Sequence, residues 1–343
     1  MSIKKLFGMA FAVLLAGSLV AAEVELNPEH PDTYVVVKGD TLWDISSMFL
    51  RKPWLWPEIW YVNPQIANPH LIYPGDILNL VYIDGKPQLR MTRGHPTVKY
   101  EPHARIESLD HAIPTIPLDA IRPFLNRSIV VDADELDTAP YVVQGADEHV
   151  VTGAGDRVYV RGIDSQDETL FDFFEPGDPY IDPDTGEILG YEALYVGRGP
   201  VQRFGDPATM LLTETTREVR VGDRLRPAQQ AEPFTSFMPH APAGDIEGHI
   251  IAVVDGVTQI GQFNVVALDL GTREGIEVGN VLRIDQQGEV IRDTVSGKRG
   301  DMVKLPDEDA GLVMVFRTFD KVSLGLVMRA TRAIHVNDFV RTP

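Results

Sequence analysis

A chain of 343 residues with a formal charge of −19 and no cysteine excludes disulfide scaffolds and thiol chemistry. So acidic a chain is repelled by nucleic acid and by anionic membrane surfaces. Its length suffices for two or three domains with their own cores, and 44% hydrophobic and 24% charged residues fit soluble globular protein.

Lys4 and Lys5 precede an apolar run, Leu6 to Val20, that ends in Ala21-Ala22 before Glu23. A charged start, an apolar stretch and small residues at the end predict a secretory signal peptide over residues 1–22. The run is short for an uncleaved membrane anchor, which needs about 20 residues. Leu14-Leu15-Ala16-Gly17-Ser18 looks like a lipoprotein signal with serine where the acylated cysteine must be. The expectation is therefore a periplasmic protein, exported through a cleaved signal, with no stable membrane anchor afterwards.

Residues 34–82 read as strand, helix, helix, strand. Val35 to Val37 is a β-branched run. Gly39 permits a tight turn, and Asp40 or Thr41 can cap a helix from Leu42 to Leu50 that buries Leu42, Ile45 and Phe49. Pro57 opens a second short helix through Tyr61. A loop punctuated by Pro64, Asn68-Pro69 and Pro74-Gly75 leads to a second strand, Ile77 to Val81.

The words GDTLWDI, VNPQIANP and IYPGDIL stand in this stretch in that order, and with the element order they resemble the LysM module. The resemblance covers about one-seventh of the chain. It implies binding to N-acetylglucosamine-containing glycan, in bacteria peptidoglycan. The groove would lie between the β1–α1 loop (Gly39, Asp40, Thr41, Leu42) and the α2–β2 loop (Asn63, Pro64, Gln65, Ile66), with Ile72 at the edge. Asp40 and Asn63 have a competing role as caps or turn braces. RKPWLWPEIW, residues 51–60, departs from the family's shorter connection. Trp43 and Trp60 are expected in the core; Trp54 and Trp56 either stack on sugar or fill the core.

Residues 83–127 carry Pro87, Pro96, Pro102, Pro114, Pro117 and Pro123, which argues against central strands and long helices and for a linker. Within it Ile116, Ile121, Phe124 and Leu125 mark a turn or two of helix that packs on the region downstream. From Ser128 the text turns to short alternating runs. Pro183-Asp184-Thr185-Gly186 reads as a hairpin turn, in preference to a calcium loop, whose distal glutamate is missing. Residues 228–244 form a second linker. After it DRVYVRGI (156–163) is echoed by NVLRID (280–285), GPVQRF (199–204) by GLVMVF (311–316), and residues 208–227 by 322–343. The expected fold is α+β: a βααβ LysM module followed by two related all-β barrels or sandwiches, residues 128–227 and 245–343, from an internal duplication.

Gly-Asp-x-hydrophobic recurs at Gly39, Gly75, Gly155 and Gly222, with Gly279-Asn280 and Asn337-Asp338 as variants. It is read as a turn device, with Gly adopting the backbone and Asp bonding the amides. Catalytic patterns are sparse. The nine histidines form no H-x-H or H-E-x-x-H, no G-x-S-x-G occurs, and the S-x-x-K is Ser2 to Lys5. No metal or cofactor is implied. The reading is a non-enzymatic binder of peptidoglycan glycan strands whose β domains contact an envelope protein or act as spacers. The alternative is a cell-wall hydrolase with an unfamiliar pair of carboxylates in the β domains.

Overall fold

The computed structural model describes residues 24–60, 71–93, 113–117, 120–121, 129–146, 152–228, 237–254, 260–293, 295 and 301–343. The expected signal peptide lies outside them. Among the described residues no helix is long and apolar enough to cross a membrane. The molecule is mostly β.

In the N-terminal module β1 (Thr33–Val35) pairs antiparallel with β2 (Ile77–Ile83), and β2 with β3 (Lys86–Thr92). Helix α1 (Leu42–Phe49) is capped by Thr41, whose Oγ1 accepts the Asp44 N–H and donates to Asp44 Oδ2. A 3-10 turn (Pro53–Leu55) runs into α2 (Trp56–Ile59). Leu42, Ile45 and Phe49 meet Trp56, Ile59, Ile72, Leu78 and Leu89 in the module's core. The third strand corrects the reading of residues 83–127 as linker from their start. Asp84 and Gly85, with φ of 51° and 77°, form the two-residue hairpin turn that joins β2 to β3. Pro87 is tolerated because β3 is an edge strand.

The next unit contains β4 (Ile129–Val131), β5 (Tyr141–Gly145), β6 (Arg157–Arg161), β7 (Leu170–Ile181), β8 (Ile188–Arg203), β9 (Ala208–Leu211), β10 (Glu214–Thr215) and β11 (Arg224–Pro227). Its pairings run β5–β6–β9–β8–β7–β11 and return to β5. The last unit contains β12 (Glu247–Val253), β13 (Val265–Leu268), β14 (Val281–Gln286), the small hairpin β15 (Val290–Arg292) and β16 (Met302–Lys304), then β17 (Glu308–Thr318), β18 (Ser323–Ala330) and β19 (Phe339–Arg341). Six of these close a barrel in the order β12–β13–β18–β17–β14–β19. Numbered within each unit, the two circuits have the same cyclic order, 1-2-5-4-3-6.

The match extends to single hydrogen bonds. The Gly222 N–H donates to the Val142 carbonyl and the Val142 N–H to the Asp223 carbonyl; Asn337, Ile250 and Asp338 repeat the pattern. Gly155, Leu212 and Asp156 are likewise matched by Phe263, Val327 and Asn264. Two of the three echoed phrases fall on strands of equal place, β8 with β17 and β11 with β19. The third does not. NVLRID is β14, which stands where β7 stands, while DRVYVRGI is β6 and corresponds in place to β13. The same turn precedes β6 and β14, which is why they look alike in sequence.

That turn is one structure repeated. Asp40, Asp76, Asp156, Asp223, Asn280 and Asp338 each accept, through the side chain, the backbone N–H three residues earlier, at 2.8–3.0 Å. The residue before each has a positive φ, from 74° at Asn337 to 104° at Gly39, where glycine is unstrained. Asn264 makes a seventh copy with Phe263 at φ 66°, hidden in sequence because phenylalanine stands in the glycine place.

The second barrel is apolar on both faces. Val266, Leu268, Leu282, Ile284, Val313, Val315 and Val327 fill its interior. The alternate residues Val265, Ala267, Val281, Leu312, Met314, Phe316, Leu326 and Met328 point outward into a further cluster. That cluster takes Trp43 and Trp54 from the module, Ile116 and Ile121 from the proline-rich segment, and Tyr180 and Leu189 from the β7–β8 hairpin. The packing expected of Ile116 and Ile121 is thus formed; Phe124 and Leu125 lie outside the described residues. The hairpin's tip is the expected turn. Asp182 Oδ1 accepts the Asp184 and Thr185 N–H groups, bonds that hold its carboxyl below the usual range. Glu187 reaches Lys321 at 2.7 Å and Arg273 at 3.4 Å on the barrel.

Asp223 is the buried member of its turn, and burial pushes its carboxyl up to about 6. A raised carboxyl pKa favours folding while protonated. That stability is full below the unfolded value of about 3.9 and is lost as pH rises through about 6. Asn264 and Asn280 show that an amide serves the same turn. Asp223→Asn is therefore expected to match the native chain near pH 4 and to be more stable by about 1–2 kcal/mol above pH 7. Urea unfolding across that range checks this; parallel pH profiles would contradict it.

Candidate functional site

The β1–α1 loop is fixed by its own side chains. Asp40 Oδ2 accepts the Val37 N–H and the Tyr34 phenol, both at 2.9 Å; burial first, and then Asp40, raises the phenol's pKa. Thr41 is buried at the helix cap and Leu42 is buried in the core. Of the four expected positions, Asp40, Thr41 and Leu42 thus have structural work for their side chains, and Gly39 supplies the turn with open space around it. What the loop offers a ligand is backbone. At the first turn of a helix the amides have no partner within the helix, and here they are the N–H groups of Leu42 and Trp43.

Asn63, Pro64, Gln65 and Ile66 lie outside the described residues. Ile72 is 0% exposed and sits in the module's core, so its side chain is no groove edge; its carbonyl is the group that faces a neighbour. That neighbour is unexpected. Residues 113–116 of the proline-rich segment lie against the start of α1 and Ile72. The Leu42 N–H donates to the Pro114 carbonyl (2.9 Å), the Trp43 N–H to the Thr115 carbonyl (3.0 Å), and the Ile113 N–H to the Ile72 carbonyl (2.8 Å). Sequence reasoning missed this contact. The only signal was the spacing of Ile113, Ile116 and Ile121, whose side chains are all buried.

The tryptophans divide differently from the expectation. Trp43 (4% exposed) and Trp54 (5%) pack on the second barrel, and Trp56 (2%) fills the module's core. Trp60 is half-buried, edge-on to Trp56 at 6.1 Å. Neither Trp54 nor Trp56 presents a face for sugar. A cleft of about 530 Å³ opens between α1 and the barrel, lined by Asp44, Ser47, Arg51, Gln262 and Arg329 among others. Among its described lining residues Asp44 is the one carboxylate, so the two facing carboxylates of a glycosidase are not made there. His249 is buried on β12 and holds Asp269 through both its N–H and Nδ1, at 2.6 and 2.9 Å. Burial raises the Asp269 carboxyl. The pair braces the barrel beneath the β7–β8 hairpin.

Because the indoles are structural, Trp54→Phe and Trp56→Phe are expected to lower the melting temperature by several degrees while leaving affinity for an N-acetylglucosamine tetramer within about twofold; removing a buried indole's packing costs on the order of 1–3 kcal/mol. A loss of affinity tenfold or more without a change in stability would return these residues to the binding surface. Calorimetry of the two variants measures both quantities.

Residues 34–81 match the model of the LysM domain. Over 60 residues the chain is 40% identical to "Uncharacterized protein YqbP" of Bacillus subtilis (strain 168), which amounts to 15% of this chain and 27% of the relative. The chain thus covers about a quarter of that relative's length, and the relative is from Bacillus rather than a proteobacterium. LysM domains bind peptidoglycan or chitin, which supports a binding role. The strand–helix–helix–strand unit at the start of this chain is a LysM domain, and the protein is a LysM-containing protein.

Proposed function

We propose that the protein is an exported, non-enzymatic binder of peptidoglycan in the bacterial envelope, working in the periplasm after removal of residues 1–22. The observation that carries this is the LysM domain at residues 34–81. Its β1–α1 loop is shaped for backbone recognition, with the Leu42 and Trp43 amides at a helix start and the Ile72 carbonyl close by. An N-acetyl group has one carbonyl and one N–H to satisfy, and backbone groups match it without ionisation. Asn63 to Ile66 would form the opposite wall.

The two β units arose by duplication of one six-stranded ancestor; the common cyclic order and matched turn bonds support that reading. The second copy serves as the platform on which the LysM domain is seated, and the first as an arm clasped to it through the β7–β8 hairpin. Contact with an envelope protein falls to the surfaces this packing leaves free. A single groove such as this one gives modest affinity on its own.

The repeated turn provides its own control. Gly39→Val and Gly155→Val impose the same strain at φ 104° and 97°, each with open space for a side chain. Only the first lies in the binding loop. In a pull-down with purified sacculi, the mature chain should bind, Gly155→Val should bind equally, and Gly39→Val should bind at least about fivefold more weakly, a loss of about 1 kcal/mol. Equal binding by all three chains would remove the groove from this loop.

A further inference from the structure

The amides proposed above to receive glycan are already in use. Leu42 and Trp43 donate to the carbonyls of Pro114 and Thr115, and the Ile72 carbonyl accepts the Ile113 N–H. A peptide group and a sugar's N-acetyl group are both secondary amides. The segment therefore presents to the module the functional group its ligand would present. Its side chains hold it there. Ile113 is 6% exposed and belongs to the module's core, while Ile116 is 0% exposed and belongs to the cluster shared by Trp43, Trp54 and the second barrel.

We propose that residues 113–116 are an autoinhibitory strap, a built-in amide ligand that closes the LysM groove and must be displaced before glycan enters. This rests on the assignment of the groove to the β1–α1 loop. The groove is closed by its own chain, so its apparent affinity is the intrinsic one reduced by the fraction of molecules with the strap released. The strap is linked to the same cluster that seats the module on the barrel, so its release loosens that cluster at Ile116.

The absence of native cysteine makes the test direct. Thr115→Cys places one thiol in the chain at a position 8% exposed, while its backbone carbonyl stays in place. A maleimide dye then reports the strap, with an N-acetylglucosamine tetramer as the probe and titration calorimetry reading affinity. Labelling of the otherwise native chain is expected to accelerate at least about fivefold on saturation with tetramer. Adding Ile113→Ala, which removes the strap's anchor, is expected to tighten tetramer binding about tenfold. Tetramer binding with no change in the labelling rate overturns the strap and leaves the glycan-binding reading standing. Binding by neither chain, with the introduced thiol labelled freely in the Ile113→Ala background, overturns the glycan reading and the strap as its competitor together. Should Ile113→Ala fold poorly, the labelling rate in the native background decides alone.

Discussion

The outer face of the second barrel is apolar and must be covered. A closed barrel needs only its interior to be apolar. This one carries Leu312, Met314, Phe316, Leu326 and Met328 on the outside as well, and such a surface costs free energy until something covers it. The covering comes from three directions: two indoles of the LysM domain, Ile116 and Ile121, and the Tyr180–Leu189 hairpin of the first β unit. Each fully buried indole is worth on the order of 4 kcal/mol from area alone. That exceeds the ion pairs at the hairpin tip, which are partly exposed and worth roughly 0–1 kcal/mol apiece. Hydrophobic cover joins the units.

The proline-rich segment gains a structural role from this arrangement. Proline fixes φ and removes donors, which suits a chain that must run extended between two surfaces without joining a sheet. Pro114 and Pro117 bracket Thr115 and Ile116. The carbonyls of Pro114 and Thr115 face the first-turn amides of the LysM helix, and the isoleucines are divided between the two cores. A tether with this composition becomes a structural part because its carbonyls remain available.

Much of the LysM domain was legible in sequence because its determinants are local. Thr41 caps with its own oxygen, Gly39 and Gly75 take positive φ, and Leu42, Ile45 and Phe49 keep helical spacing. The repeated turn was legible for the same reason, except at Phe263, where the backbone takes a glycine conformation without glycine. β3 was missed although Asp84-Gly85 announces a hairpin; Pro87 argues only against a central strand, and β3 is an edge strand. The roles of Trp54 and Ile116 could not be read locally, since they pack in the cluster shared with the second barrel, nor could those of Ile113 to Thr115, whose hydrogen-bond partners are Leu42, Trp43 and Ile72 of the module. The unbroken run Leu312 to Phe316 did carry a signal. Alternation marks a strand with one wet face, and its loss marks a strand covered on both. The equal cyclic order of the two β units was legible only in outline, because strand place is set by pairing partners and not by phrase similarity.

One continuous apolar cluster joins the LysM domain to the second barrel, and the two are expected to unfold as a single cooperative body. The chain carries its own probe for this: all four tryptophans, Trp43, Trp54, Trp56 and Trp60, lie in the LysM domain, whereas most of the strand signal comes from the β units. Equilibrium unfolding of the chain in urea, followed by tryptophan fluorescence and by far-ultraviolet circular dichroism, compares the two directly. The fluorescence transition is expected to coincide with the main β transition. A fluorescence midpoint well below it, with the β signal intact, would show instead a LysM domain that folds and unfolds apart from the barrel.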